Sequence, residues 1–224
     1  MSRSLLCCAL LLFVAASSQA DSVPIANSTF ASPGAAFGPT WDVTPDQWTL
    51  SKTPLNGDFA DWMTRSGMAN YGDSNSQLAM LQAWNGQSQL AQTLSTNVQP
   101  NTTYTFSLAA GPLRGYDPGH GTYTFEVLAG STPLITLTGD VGALATMWYN
   151  EVSFGAWGKA LTGTATTGAS ASGQLSVVMR LSEEHIGGAQ VCAANLVLTA
   201  VPAPEPATLS LLGVSGLLLA RKRR

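Results

Sequence analysis

The chain predicts an all-β sandwich, and three observations carry that expectation. Apolar and polar side chains alternate with a period of two through the middle of the sequence, Gly, Pro, Ser and Thr break the alternation every dozen residues or so, and no amphipathic helix of useful length interrupts it. A period of two is the mark of a strand with one face buried and the other in water. Many short strands at that spacing satisfy their backbones by pairing and their apolar faces by packing sheet on sheet.

The elements follow in order. Met1-Ser2-Arg3 is a basic start, Leu5 to Ala16 an apolar stretch, and Ser18-Gln19-Ala20 places small residues before Asp21. Residues 1–20 therefore read as a secretory signal peptide with a helical centre, cut after Ala20. Cys7 and Cys8 lie inside it, so the mature chain keeps only Cys192, which has no partner for an internal disulfide. Cys192 is expected to be a small buried apolar residue in a terminal strand.

Residues 21–200 form the predicted sandwich domain, long enough to bury a core without staples. In Thr102 to Leu108, Tyr104, Phe106 and Leu108 share one face while Thr and Ser residues take the other. Similar strands are expected at Gln77–Leu81, Gln89–Leu94, Thr122–Leu128, Leu134–Thr138, Trp148–Phe154, Gln174–Leu181 and Ala194–Thr199. Gln99-Pro100-Asn101 and Ala129-Gly130-Ser131 read as turns. Thr162 to Gly173, almost wholly Thr, Gly, Ala and Ser, reads as a flexible surface loop.

Charge excludes one class of partner. Residues 21–200 hold five Lys/Arg against twelve Asp/Glu, a formal −7, although the whole chain shows only −3. Half of the basic residues sit outside the domain. An acidic surface with isolated cations repels phosphate backbones, so no nucleic-acid partner is expected.

Few residues carry the pattern of a catalytic site. His120 and His185 have no second His or Cys at metal-ligand spacing, so no metal is expected. Glu183-Glu184-His185 could supply an acid/base pair, but adjacent carboxylates on a loop are expected to face water. No Gly-x-Ser-x-Gly elbow, His-Glu-x-x-His helix or phosphate-cradling loop is present, and no pair among Asp58, Asp61, Asp73, Asp117 and Glu151 stands out for glycoside hydrolysis. The chain is accordingly expected not to be an enzyme. All six tryptophans fall in the domain, several among Gly, Asn and Asp. Indole faces stack on sugar rings while nearby amides and carboxylates bind hydroxyls. Trp62 and Trp84, with Asp58 and Asp61, are the expected ligand-binding residues.

Residues 201–224 differ from everything before them. Pro202, Pro204 and Pro206 keep the junction extended. Ala207 to Ala220 is a 14-residue stretch without charge, and Arg221-Lys222-Arg223-Arg224 closes the chain. As a helix that stretch reaches only about 21 Å, a marginal span of a hydrocarbon core about 30 Å thick, with its basic end on the cytoplasmic side.

Pro204-Glu205-Pro206, the short apolar segment and the basic end resemble the PEP-CTERM sorting signal of Gram-negative bacteria. The resemblance implies processing near Pro204, Glu205 and Pro206 by exosortase, transient residence of residues 207–220 in the inner membrane, and a destination at the cell surface or beyond. The domain is similar to the galactose-binding-like jelly rolls found in such proteins, which resemble carbohydrate-binding modules. Pro24-Ile25-Ala26-Asn27, Leu90-Ala91-Gln92-Thr93-Leu94, Phe125 to Gly130 and Asn195 to Thr199 carry that likeness. Members often hold a structural calcium through an Asp-Asn-Val in the last strand. Here Ala194-Asn195-Leu196 lacks the carboxylate, so no cofactor is expected. The combined expectation is an exported, non-enzymatic matrix protein that binds extracellular polysaccharide. A surface polysaccharide hydrolase and a self-assembling structural component are the alternatives.

Overall fold

The computed structural model describes residues 19–32, 38–41, 44–54, 65–70, 78–84, 86–111, 121–144, 159–183 and 188–203. Within them the chain is an all-β jelly-roll sandwich, as the alternation predicts. The strands are β1 (Asp21–Val23), β2 (Gly38–Trp41), β3 (Thr49–Pro54), β4 (Arg65–Asn70), β5 (Leu78–Ala83), β6 (Gly86–Asn97), β7 (Thr102–Gly111), β8 (Thr122–Ala129), β9 (Thr132–Asp140), β10 (Lys159–Thr166), β11 (Gln174–Glu183) and β12 (Ala189–Pro202), with one 3-10 turn at Val141–Leu144. One sheet runs β10-β7-β12-β5-β4-β2, with β1 also on β12, and the other runs β3-β6-β11-β8-β9. Every pairing is antiparallel.

Alternation decides which side chains enter the space between the sheets. Leu90 and Leu94 of β6, Tyr104, Phe106 and Leu108 of β7, Tyr123, Phe125 and Val127 of β8, and Leu175, Val177, Met179 and Leu181 of β11 meet there and are buried. Each such side chain stabilises the fold by about 1.5–3 kcal/mol relative to exposure. The outer face of the second sheet is polar. Arg180 pairs with Glu126 and donates from Nε to Gln89 Oε1 at 2.6 Å, while Thr136 donates to Glu126 at 3.3 Å, so one belt crosses four strands.

The last strand changes face partway along. Ala193 and Leu196 both point into the core, three residues apart, because β12 carries one extra residue against β7 between Ala194 and Val197. Asn195 takes a φ of 55° there. Such bulges need a residue that tolerates the left-handed region, which Asn does better than most. Asn195, in the stretch compared with a calcium-holding Asp-Asn-Val, thus serves here as a backbone device.

Three expectations need revision. Thr162–Thr166 belongs to β10, paired with Thr103–Ser107 of β7, rather than to a flexible loop. Strands β1 to β4 went unread because they are short and carry Gly, Pro, Ser and Lys instead of an apolar face. Glu183 ends a strand and is buried, where adjacent carboxylates were expected to face water. The strand expected at Trp148–Phe154, the signal helix over 1–18 and the helix over 207–220 lie outside the described residues. Among the described residues no helix is long and apolar enough to cross a membrane.

The two ends of the sandwich are built differently. At one end the turns are tied to each other: Val98 N donates to Gly173 O at 2.8 Å, Gly130 N to Gln174 O at 2.8 Å, Thr167 N to Thr102 O at 2.9 Å and Ala203 N to Asn101 O at 2.7 Å. At the other end β5, β6, β7, β8 and β12 start or stop at or beside the small residues Ala83, Gly86, Gly111, Gly121, Gly188 and Ala189, and β11 stops there at Glu183.

Candidate active site

The small-residue end surrounds one carboxyl. In the register of the second sheet Glu183 stands opposite Gly86 of β6, and Ser182 pairs with Thr122, which puts Gly121 on the other flank of Glu183. Across the sandwich Ala83 pairs with Ala189. Glu183 is 1% exposed and follows Leu175, Val177, Met179 and Leu181 on the inward face of β11. Its Oε2 lies 3.3 Å from where a Cβ on Gly121 would stand, and the same position is only 2.4 Å from Ala189 Cβ. The sheets therefore touch at Gly121 and Ala189, and the carboxyl fills the space beside that contact. The layer beneath holds Ser88 and Tyr123, both in register with Leu181. Burial pushes the Tyr123 phenol up from its ordinary value.

Two buried carboxyls occur among the described residues, and their surroundings separate their roles. Glu126 lies on the outer face, held by Arg180 and Thr136. It is committed to the belt across the sheet. Glu183 instead faces the interior at the level where the strands end. That position makes Glu183 the candidate for acid/base work among the described residues.

Among the described residues, Trp84 is the predicted ligand residue at this end. It follows Ala83, is half-buried, and lays its six-membered ring on Gly188, where an added Cβ would lie 2.6 Å from Cε3. Gly188 has a φ of 69°, open to glycine and strained for most other residues. Trp62, Asp58 and Asp61 lie outside the described residues, as do Pro204, Glu205, Pro206, Arg221, Lys222, Arg223, Arg224, His120 and His185. Ala20 is exposed one residue before β1. Among the described residues no cluster of three His, Cys, Asp or Glu side chains stands ready for a metal. Glu183 was expected to face water. The available signal was its parity with Leu175, Val177, Met179 and Leu181, which continues the inward face by one more step.

Comparison with known proteins places the chain. The sequence profile of a family described as HpiC1-like, HpiC1 cyclase, matches residues 21–191. Among solved structures, the apo form of a cyclase from Fischerella sp. superposes with a TM-score of 0.59 at 22% identity, covering 83% of this chain and 98% of that one. The Stig cyclase FisC from Fischerella sp. TAU, in complex with (3Z)-3-(1-methyl-2-pyrrolidinylidene)-3H-indole, gives 0.59 at 22%, covering 83% and 100%. A cyclase from the same organism in complex with 4-(1H-indol-3-yl)butan-2-one gives 0.58 at 23%, covering 83% and 100%. At these identities the superpositions establish a shared fold. No curated protein matches the chain.

The profile overturns several expectations. The assignment to PEP-CTERM proteins rested on the last tenth of the chain, whereas the match runs through the domain and names a cyclase. A matrix protein sorted by exosortase, without catalytic activity, gives way to an enzyme family. With it fall the exosortase, the membrane residence of 207–220 as a partnership and the extracellular polysaccharide, together with the hydrolase and self-assembly alternatives. A cyclase calls for a small-molecule substrate. The physical source of the error is that the tail is locally distinctive, while the family is written across a sandwich with no short motif. The chain belongs to the HpiC1-like cyclase family.

Proposed function

We propose that the protein closes a ring in a small, largely apolar substrate bearing an indole, with Glu183 as the proton-holding group. The match over residues 21–191 carries this reading, and the indole compounds held by the two Fischerella proteins supply the substrate class. Glu183 supports it as the buried carboxyl that faces the interior at the sandwich end. Its proton passes to an unsaturated carbon of the substrate side chain, and the electron-rich ring attacks the resulting cation to form the new carbon–carbon bond. The proton lost from that ring carbon returns to the carboxylate. Substrate and product are isomers, so the balance needs no oxidant or reductant.

The test is incubation with indoles carrying an unsaturated side chain, followed by separation and mass measurement. A new product of unchanged mass is expected. Glu183→Gln keeps the shape but removes the acid, and loss of general-acid assistance is expected to slow turnover by about 10²- to 10⁴-fold. Full turnover by Glu183→Gln would remove Glu183 from the mechanism, and absence of any isomer across the panel would remove the substrate class.

The expected signal peptide supports a mature enzyme that begins at Asp21 and acts outside the cytoplasm. Amino-terminal sequencing of the protein recovered from its native host is expected to read Asp-Ser-Val-Pro. Recovery of the intact amino terminus in the cytoplasm would sink that placement.

A further inference from the structure

We propose that Trp84 is a positioning residue for Glu183: braced on Gly188, its indole pins the start of β12 so that Ala189 stays packed on Gly121 and holds the carboxyl in place. This rests on the reading of Glu183 as the acid. Residues 188 and 189 are consecutive in the chain, and the left-handed turn at Gly188 leads directly into β12. The side of Gly188 that a side chain would occupy meets Trp84, and the Cβ of Ala189 meets Gly121 beside Glu183 Oε2. The first two residues of this segment are thus clamped between an indole and the end of β11. Ala83 pairs with Ala189, so Trp84 reaches Gly188 from the next step along the same pair of strands. The fit is specific in size. A side chain at Gly188 would need both a left-handed backbone and the space that the ring fills. A smaller residue at 84 would leave Gly188 without its brace and Ala189 free to lift from Gly121.

Carboxyl labelling tests this without relying on turnover. Folded full-length protein is treated with a water-soluble carbodiimide and glycine ethyl ester, and labelling is measured peptide by peptide. In the native chain exposed Asp46 should label while Glu183 and Glu126 stay protected. Trp84→Ala and Gly188→Ala, acting on the two sides of the contact, are expected to raise labelling at Glu183 at least tenfold and leave Glu126 protected. Trp84→Phe, which keeps a flat ring, should restore most of the protection. In turnover of the indole substrate, kcat should fall more than KM rises in Trp84→Ala and recover in Trp84→Phe. Unchanged protection of Glu183 in folded Trp84→Ala and Gly188→Ala overturns the proposal. So does a rise at Glu126 equal to that at Glu183, which would mean general loosening. Full activity of Glu183→Gln would instead overturn the acid reading while the labelling result stands.

Discussion

Cys192 shows how one buried atom ties pH to stability. It pairs with Met80 in β5, is 1% exposed, and burial drives its thiol far above the ordinary 9.0. The folded state holds the neutral thiol, whereas the unfolded chain releases its proton once the pH passes the ordinary value. Cys192 therefore leaves stability intact below about pH 9 and lowers it progressively above, because the unfolded state binds fewer protons there. Denaturant midpoints followed from pH 8 to 10.5 are expected to fall more steeply for the native chain than for Cys192→Ala, and equal slopes would contradict the account. A thiol-specific reagent should react with Cys192 only at the rate of unfolding. The burial of Cys192 was legible from its place in an apolar terminal strand. That of Glu183 was missed, because a charged residue followed by another has the look of a loop; its parity with Leu175 to Leu181 pointed inward, and the register against Gly86 and Gly121 shows the space made for it.

Strands β6, β7, β8, β9 and β11 were readable because each buries one face and wets the other, so burial writes the period of two into the side chains. Strand β10 was not, because it lies at the edge of its sheet and turns only Leu161, Gly163 and Ala165 inward, with Thr residues outside. Its pairing with β7 comes from backbone hydrogen bonds, which leave no trace in side-chain polarity. Gly163 explains the weak pattern further: an added Cβ would lie 2.8 Å from Ile135 Cγ2 and 2.8 Å from Leu137 Cδ2. The missing side chain lets β9 close over β10. Gly163→Val is expected to cost about 1–3 kcal/mol through overpacking, read as a lower urea midpoint with an unchanged slope. A midpoint at or above the native value would show that β9 yields freely. The bulge at Asn195 obeys the same logic, since Asn at a φ of 55° lets one strand serve its inward face on both sides of the irregularity.

At the scale of the molecule, the proposed role of Glu183 assigns stability to one end of the sandwich and chemistry to the other. The tied end satisfies its turns through Thr167, whose Oγ1 donates to Gln99 O at 2.7 Å and accepts from Thr102 N at 2.9 Å, and through Tyr104, whose hydroxyl accepts from Gln99 N at 2.8 Å. Thr102 and Thr167 are both buried, so removing the hydroxyl strands a backbone donor away from water. The cost of an unsatisfied buried group is about 1–3 kcal/mol. The opposite end gathers Ala83, Gly86, Gly121, Gly188 and Ala189 around Glu183, with little side-chain volume to contribute to the core. Substitutions at the two ends should therefore separate. Thr167→Ala is expected to lower the denaturation midpoint by an amount worth about 1–3 kcal/mol while leaving turnover per folded molecule unchanged, and Glu183→Gln should do the reverse. A Thr167→Ala protein that is as stable as the native chain, or one that loses activity while folded, would mean that the ends are coupled through the core and that the division fails.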